Sequence, residues 1–201
     1  MSSKGGAYER ELSTKLSLWW SNGKRDDLIW RTSTSGGRAT IRGKKGKRTF
    51  GSYGDLHAVD PLASDLFLVF TIEAKRGYTG ASFADAIDRP VLAKQTTFEA
   101  FCEQARTAAV AAGSASWMLI QRRDKKRALC FIPRKAFSTI QMLGGCDLLP
   151  CPYIEMRLNL RQEGDFARTW VVAMQLDDFL RTCSPDVIRR FAEKVRPSGL
   201  R

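Results

Sequence analysis

The chain has 201 residues, 43% of them hydrophobic, and its 33 Lys and Arg against 21 Asp and Glu leave a net charge of +12. That length suits one domain with a substantial core, and the charge calls for a polyanionic partner, nucleic acid being the commonest because phosphate neutralisation releases counterions. A sole histidine, His57, five cysteines without C-x-x-C spacing and no long apolar run argue against zinc fingers, H-E-x-x-H hydrolases, disulfide scaffolds and membrane spans.

Residues 7–20 carry Tyr8, Leu12, Leu16, Trp19 and Trp20 near helical spacing, with Ser21-Asn22-Gly23 as a stop, which predicts a helix. It is preceded by Met1 to Gly6, which lead into no signal-type apolar segment, so a soluble cytoplasmic protein is expected. Of the paired tryptophans, one is expected in the core and one partly exposed. Residues 28–31 read as a short strand. The small-residue loop Thr32 to Gly37 then runs into a basic stretch containing Arg38, Arg42, Lys44, Lys45, Lys47 and Arg48. Its interspersed glycines suit an arm that follows a phosphate backbone without reading bases, as against a loop that serves only solubility.

Residues 54–61 are expected to pair as a hairpin with a buried strand over 66–75. In Phe67-Leu68-Val69-Phe70-Thr71-Ile72-Glu73-Ala74-Lys75, two opposite charges end a hydrophobic run. Strand side chains alternate between faces, so Glu73 and Lys75 emerge on the same side. Burying both is costly unless a partner, a metal or hydrogen bonds compensate, and the pair is therefore a candidate site.

After Lys75 the run Gly77-Tyr78-Thr79-Gly80 breaks the pattern, and 81–95 reads as a short helix and connection stopped at Arg89-Pro90. A stronger helix follows over 97–112, where Phe98, Phe101, Cys102, Ala105, Ala108, Ala109 and Ala112 form an apolar stripe before Gly113. Strands are expected at 116–122 and 128–132, a short helix at 134–141, strands at 153–161 and 168–175, and a last helix over 185–195. No Walker A loop or G-x-G-x-x-G fingerprint occurs, so no nucleotide cofactor is expected. The cysteines Cys102, Cys130, Cys146, Cys151 and Cys183 are expected to be reduced.

Asp55, seventeen intervening residues, and then Glu73-Ala74-Lys75 resemble the bipartite motif of the PD-(D/E)xK nuclease superfamily, in which an Asp precedes a strand carrying E-x-K. Glu9, in Gly6-Ala7-Tyr8-Glu9-Arg10-Glu11-Leu12, is similar to the helical glutamate such nucleases often add. Arg31 through Gly36, with Ser35, resembles the Arg and Ser-Gly loop of archaeal-type Holliday junction resolvases. Gln104 stands where many members carry a glutamine or a basic residue. The resemblance covers residues 5–132, and residues 133–201 have no matched counterpart.

The resemblance implies an α/β fold, with a restriction-endonuclease-like mixed central β-sheet flanked by helices. It further implies one nuclease domain over 1–201, with 133–201 as an extension, and a Mg²⁺-dependent endonuclease acting on branched DNA as a homodimer. Asp55, Glu73, the backbone carbonyl of Ala74 and Glu9 would hold the metal, with Mn²⁺ as a substitute. Hard divalent cations favour such oxygen ligands and retain several waters. By the same resemblance Lys75 orients or activates the attacking water, Ser35 touches a phosphate or the metal shell, and Arg31, Gln104 and the basic stretch contact DNA. From the residues alone, Asp60 and Asp65 compete with Asp55, and Glu11 competes with Glu9. Gln104 is equally suited to a solvent-facing place. A restriction-type or nicking nuclease, and a basic nucleic-acid-binding protein without catalysis, are the rival readings.

Overall fold

The computed structural model describes residues 4–32, 53–78, 80–88, 94–144, 151–162 and 165–196. Among them the helices are α1 (Lys4–Trp20), α2 (Ser64–Val69), α3 (Thr97–Ala112), α4 (Arg134–Met142), α5 (Leu176–Thr182) and α6 (Pro185–Val195). The strands are β1 (Ile29–Arg31), β2 (Leu56–Ala58), β3 (Phe70–Arg76), β4 (Ser116–Arg122), β5 (Leu129–Pro133), β6 (Tyr153–Gln162) and β7 (Asp165–Gln175). None of the described helices is long and apolar enough to cross a membrane.

The central sheet runs β3-β4-β5-β7-β6. Only β3 and β4 are parallel; the other neighbours are antiparallel. The crossover between the parallel pair contains α3, as parallel strands require. Residues beyond 133 supply β6 and β7 to this same sheet and so complete it.

Strand alternation divides the core in two. Phe70, Ile72 and Ala74 of β3, with Met118 and Ile120 of β4, pack against α1, α2, α4, α5 and α6. The intervening residues Trp117, Leu119, Phe131, Val171 and Ala173 pack against Phe98, Phe101, Cys102 and Ala105 of α3. The mixed sheet flanked by helices on both faces is the architecture expected from the sequence.

Local chemistry accounts for the main helices. In α1, Tyr8, Leu12, Leu16 and Trp20 recur every four residues, and each is at most 2% exposed, the single apolar stripe of a helix seated on a sheet. As expected, Trp20 is buried while Trp19 is only partly so. Helix α3 opens on a capping box, in which the Thr96 hydroxyl accepts from the Glu99 N–H and the Glu99 carboxylate accepts from the Thr96 N–H. It closes on Gly113 at φ 73°, a left-handed position that suits glycine.

Three expectations are corrected. The strand expected from residue 66 begins at Phe70, and residues 64–69 are helical. The Asp60 carboxylate accepts from the Leu62 N–H at 2.9 Å and Pro61 opens a 3-10 turn, so a helical path is already set when the apolar run begins. A continuous apolar run satisfies helix and strand alike, and packing of α2 against α6 decides for helix. The 54–61 strand is also not a hairpin partner of β3: β2 pairs antiparallel with β1, Trp30 opposite His57. Within 81–95 the described residues form a 3-10 turn at Phe83–Ala86 in place of a helix; residues 89–93 lie outside the described residues. Helix α5 was not anticipated. Cys102, Cys130, Cys151 and Cys183 are buried and form no disulfide among the described residues, and Cys146 lies outside the described residues.

Candidate active site

Glu73 and Lys75 lie on the α3 face of β3, close to its carboxyl end. Glu73 is 1% exposed, and its Oε1 accepts from Lys75 Nζ at 2.6 Å. The Gln104 side-chain amide, reaching from α3, donates to the same oxygen. Phe101, one helical turn before Gln104, has its ring centroid 5.5 Å from Lys75 Nζ. The lysine thus lies between a carboxylate and an aromatic face, both favourable to a cation.

Asp55 approaches the opposite edge of β3 from the one used by β4. Its N–H donates to the Ile72 carbonyl at 2.9 Å, and its own carbonyl accepts from the Thr32 N–H at 2.8 Å. Its Oδ2 accepts from the Ala74 N–H at 2.8 Å. These bonds fix both backbone and carboxylate, leaving the residue 7% exposed. Gly54 makes the approach possible: its φ is +74°, and a Cβ there would lie 2.6 Å from the Ile72 carbonyl oxygen. The N–H and C=O of one strand residue point to the same edge, so the Ala74 carbonyl opens toward Asp55.

The two glutamates of α1 differ in their surroundings. Residues two apart on a helix diverge by about 200°. Glu9 is 3.9 Å from Arg31 and feels the negative charge of Asp55. Glu11 pairs instead with Arg122 at 2.7 Å and Arg76 at 3.7 Å. The competing aspartates are occupied elsewhere: Asp60 caps the turn after it and binds Arg25 at 2.7 Å, while Asp65 pairs with Arg196.

The local electrostatics favour a cation. Burial, followed by the charge of Asp55, pushes the Glu73 carboxyl up to about 7, although Lys75 opposes the shift. Burial and Asp55 likewise raise the Glu9 carboxyl. Burial pulls the Lys75 ammonium down, but the charge and hydrogen bond of Glu73 outweigh it and leave the lysine raised. Among the described residues, no three His, Cys, Asp or Glu side chains converge into a complete metal cage. Two adjoining carboxylates and a carbonyl facing the same edge are nonetheless the hard-oxygen donors that suit a divalent cation retaining several waters.

The structure therefore brings Asp55, Glu73, Ala74, Lys75 and Gln104 together, with Glu9 and Arg31 beside them. Ser35, Arg38, Arg42, Lys44, Lys45, Lys47 and Arg48 lie outside the described residues. His57 is partly buried beside the Thr32 hydroxyl, 3.4 Å from its Nδ1, and burial lowers its pKa. Sequence reasoning missed Gly54, Thr32, Phe101 and Tyr78; the last is 48% exposed and packs edge-on against Phe101 with centroids 4.8 Å apart. Only Gly54, next to the candidate aspartate, left a readable signal.

No curated protein and no solved structure matches the chain. A family model described as "Phage putative PDDEXK endonuclease" matches residues 1–190. With nearly its whole length matched, and with a mixed central sheet flanked by helices, the chain belongs to this PDDEXK endonuclease family, within the PD-(D/E)xK nuclease superfamily and its restriction-endonuclease-like fold.

Proposed function

We propose that this chain is a divalent-metal-dependent endodeoxyribonuclease with its reaction centre at Asp55, Glu73 and Lys75. The observation that carries the reading is the pairing of two buried carboxylates at one strand edge, with Lys75 2.6 Å from one of them. Burial first and repulsion from Asp55 second raise the Glu73 carboxyl, so two such acids in a low-dielectric site call for a compensating cation.

In this reading Asp55, Glu73, the Ala74 carbonyl and Glu9 would hold Mg²⁺, or Mn²⁺ in its place. The bound ion would lower the pKa of a water and neutralise charge on the phosphate. Lys75 keeps its proton and supports charge that develops on the phosphate oxygens. Gln104 fixes the Glu73 carboxylate by occupying one of its oxygens. Arg31 restrains Glu9 and offers a second cation to the backbone. Ser35 is assigned to a phosphate or the metal shell, and the basic stretch Arg38 to Arg48 to backbone contact, on their sequence pattern alone.

Branched DNA is the proposed preferred substrate and a homodimer the proposed assembly, both supported by the resemblance of Arg31 to Gly36 to the resolvase loop. The experiment is incubation with supercoiled plasmid, linear duplex and a synthetic four-way junction in Mg²⁺, Mn²⁺ or EDTA. Cleavage that requires metal, disappears in Glu73→Ala and Asp55→Asn, and is fastest on the junction is expected. Cleavage unchanged in those variants rejects the site; equal rates on junction and duplex reject the branched-DNA preference.

A further inference from the structure

Across the sheet from Glu73 and Lys75, but at the same carboxyl end of β3 and β4, lies a cleft of about 420 Å³ between α1, the β4–β5 turn and the start of α5. Arg76 and Arg122 mark the passage between the two sides. Each points to the α1 face, where the Arg76 guanidinium lies 5.7 Å from the Tyr8 ring centroid and Arg122 bonds Glu11 at 2.7 Å.

Five cations and two carboxylates line the cleft. Glu11 is already shared by Arg76 and Arg122, and Asp177 is paired with Lys15. The turn residues Lys125, Lys126 and Arg127 are exposed, and among the described residues none of them forms an ion pair. Asp124 is the only acid in that turn. At the floor, the buried Tyr8 hydroxyl has no hydrogen-bond partner among the described residues. Three uncompensated cations over a concave polar surface suit a polyanion, not a neutral ligand.

We propose that this cleft holds DNA backbone phosphates of the strand opposite the one being cut. The proposal deepens the endonuclease reading and rests on it for the choice of polyanion. Successive strand side chains leave opposite faces of the sheet, so Lys75 and the β4–β5 turn flank the carboxyl ends of β3 and β4 on two sides. A duplex laid across the carboxyl ends of β3 and β4 thus offers one backbone to Lys75 and the other to the β4–β5 turn. Contacts of this kind position DNA and carry no sequence information.

The test is fluorescence anisotropy of the full chain in EDTA, with a labelled duplex and a single strand of the same length. Wild type is compared with the triple variant K125N/K126A/R127A. Asparagine is chosen at 125 because Lys125 has φ 59°, a left-handed conformation that Asn tolerates. A second variant, K126A/R127A, leaves that turn residue untouched and guards against a folding defect. We expect duplex affinity to fall about tenfold or more and the salt slope to shrink by about 0.9 for each phosphate no longer neutralised. Single-strand affinity should change less than about threefold. Unchanged duplex affinity and slope in both variants, or equal weakening on both DNAs, overturns the second-strand site. Because no cleavage is read, a failure here is distinct from failure of the nuclease reading, which the Glu73→Ala and Asp55→Asn assays decide.

Discussion

Gln104 and Lys75 donate to the same oxygen, Oε1 of Glu73, one from a helix and the other from the strand that carries the glutamate itself. Convergent donors hold the carboxylate in one rotamer. Groups that orient a metal ligand commonly carry 10- to 100-fold of metal affinity or activity, by rough precedent. Gln104→Ala should therefore slow cleavage by about 10- to 100-fold and raise the metal concentration needed for half-maximal rate. DNA binding in EDTA should be nearly unchanged. A variant with wild-type metal dependence would remove Gln104 from the site.

Lys75→Met separates the chemical and structural roles of the lysine. The variant should lose cleavage while retaining duplex binding. It also leaves Glu73 buried without its cation, a loss that costs several kcal/mol when the charge persists and less when the carboxyl can take a proton. Because burial and Asp55 already raise the Glu73 carboxyl, protonation keeps the damage below the roughly 3–5 kcal/mol of a broken buried pair. Urea denaturation at neutral pH measures it, and equal stability would show that the pair contributes no net stabilisation.

Gly54 is the position where a single methyl should disrupt the centre. Gly54→Ala introduces a Cβ 2.6 Å from the Ile72 carbonyl oxygen at a φ of +74°. Left-handed strain and overpacking together cost about 2–4 kcal/mol, or else push Asp55 off the β3 edge. A lowered thermal midpoint with sharply reduced cleavage is expected. A fully stable and active variant would show that the edge contact is dispensable.

The competing acids give a paired comparison. Glu9→Gln should reduce cleavage, whereas Glu11→Gln should leave the reaction rate near wild type and alter only the arginine cluster around it. Asp60→Ala should likewise retain cleavage while lowering the thermal midpoint, because the Leu62 N–H and Arg25 then have no carboxylate to bind. The Leu62 N–H first, then Arg25, hold the Asp60 carboxyl below the usual range. Its contribution is therefore complete above the ordinary Asp pKa and fades as pH falls through the lowered value. The melting difference between Asp60→Ala and wild type should shrink in strong acid; a constant difference would contradict this linkage.

The sequence by itself determined the elements whose signals are local. Helix α1 followed from its four-residue apolar recurrence, α3 from its apolar stripe and Gly113, and β4 and α6 from short, well-bounded patterns. The spacing of Asp55 from Glu73-Ala74-Lys75 was equally visible, because a motif is a linear object. Tertiary structure decided what periodicity could not. The apolar run through Phe67 and Ile72 is compatible with helix and strand, and only the packing of α2 on α6 divided it at Phe70. The partner of β2, the facing of Glu9 and Glu11, and the reach of Gln104 to Glu73 depend on how distant elements cross. The basic cleft is also invisible in sequence, since α1 and the β4–β5 turn, more than a hundred residues apart, meet only when the sheet closes between them.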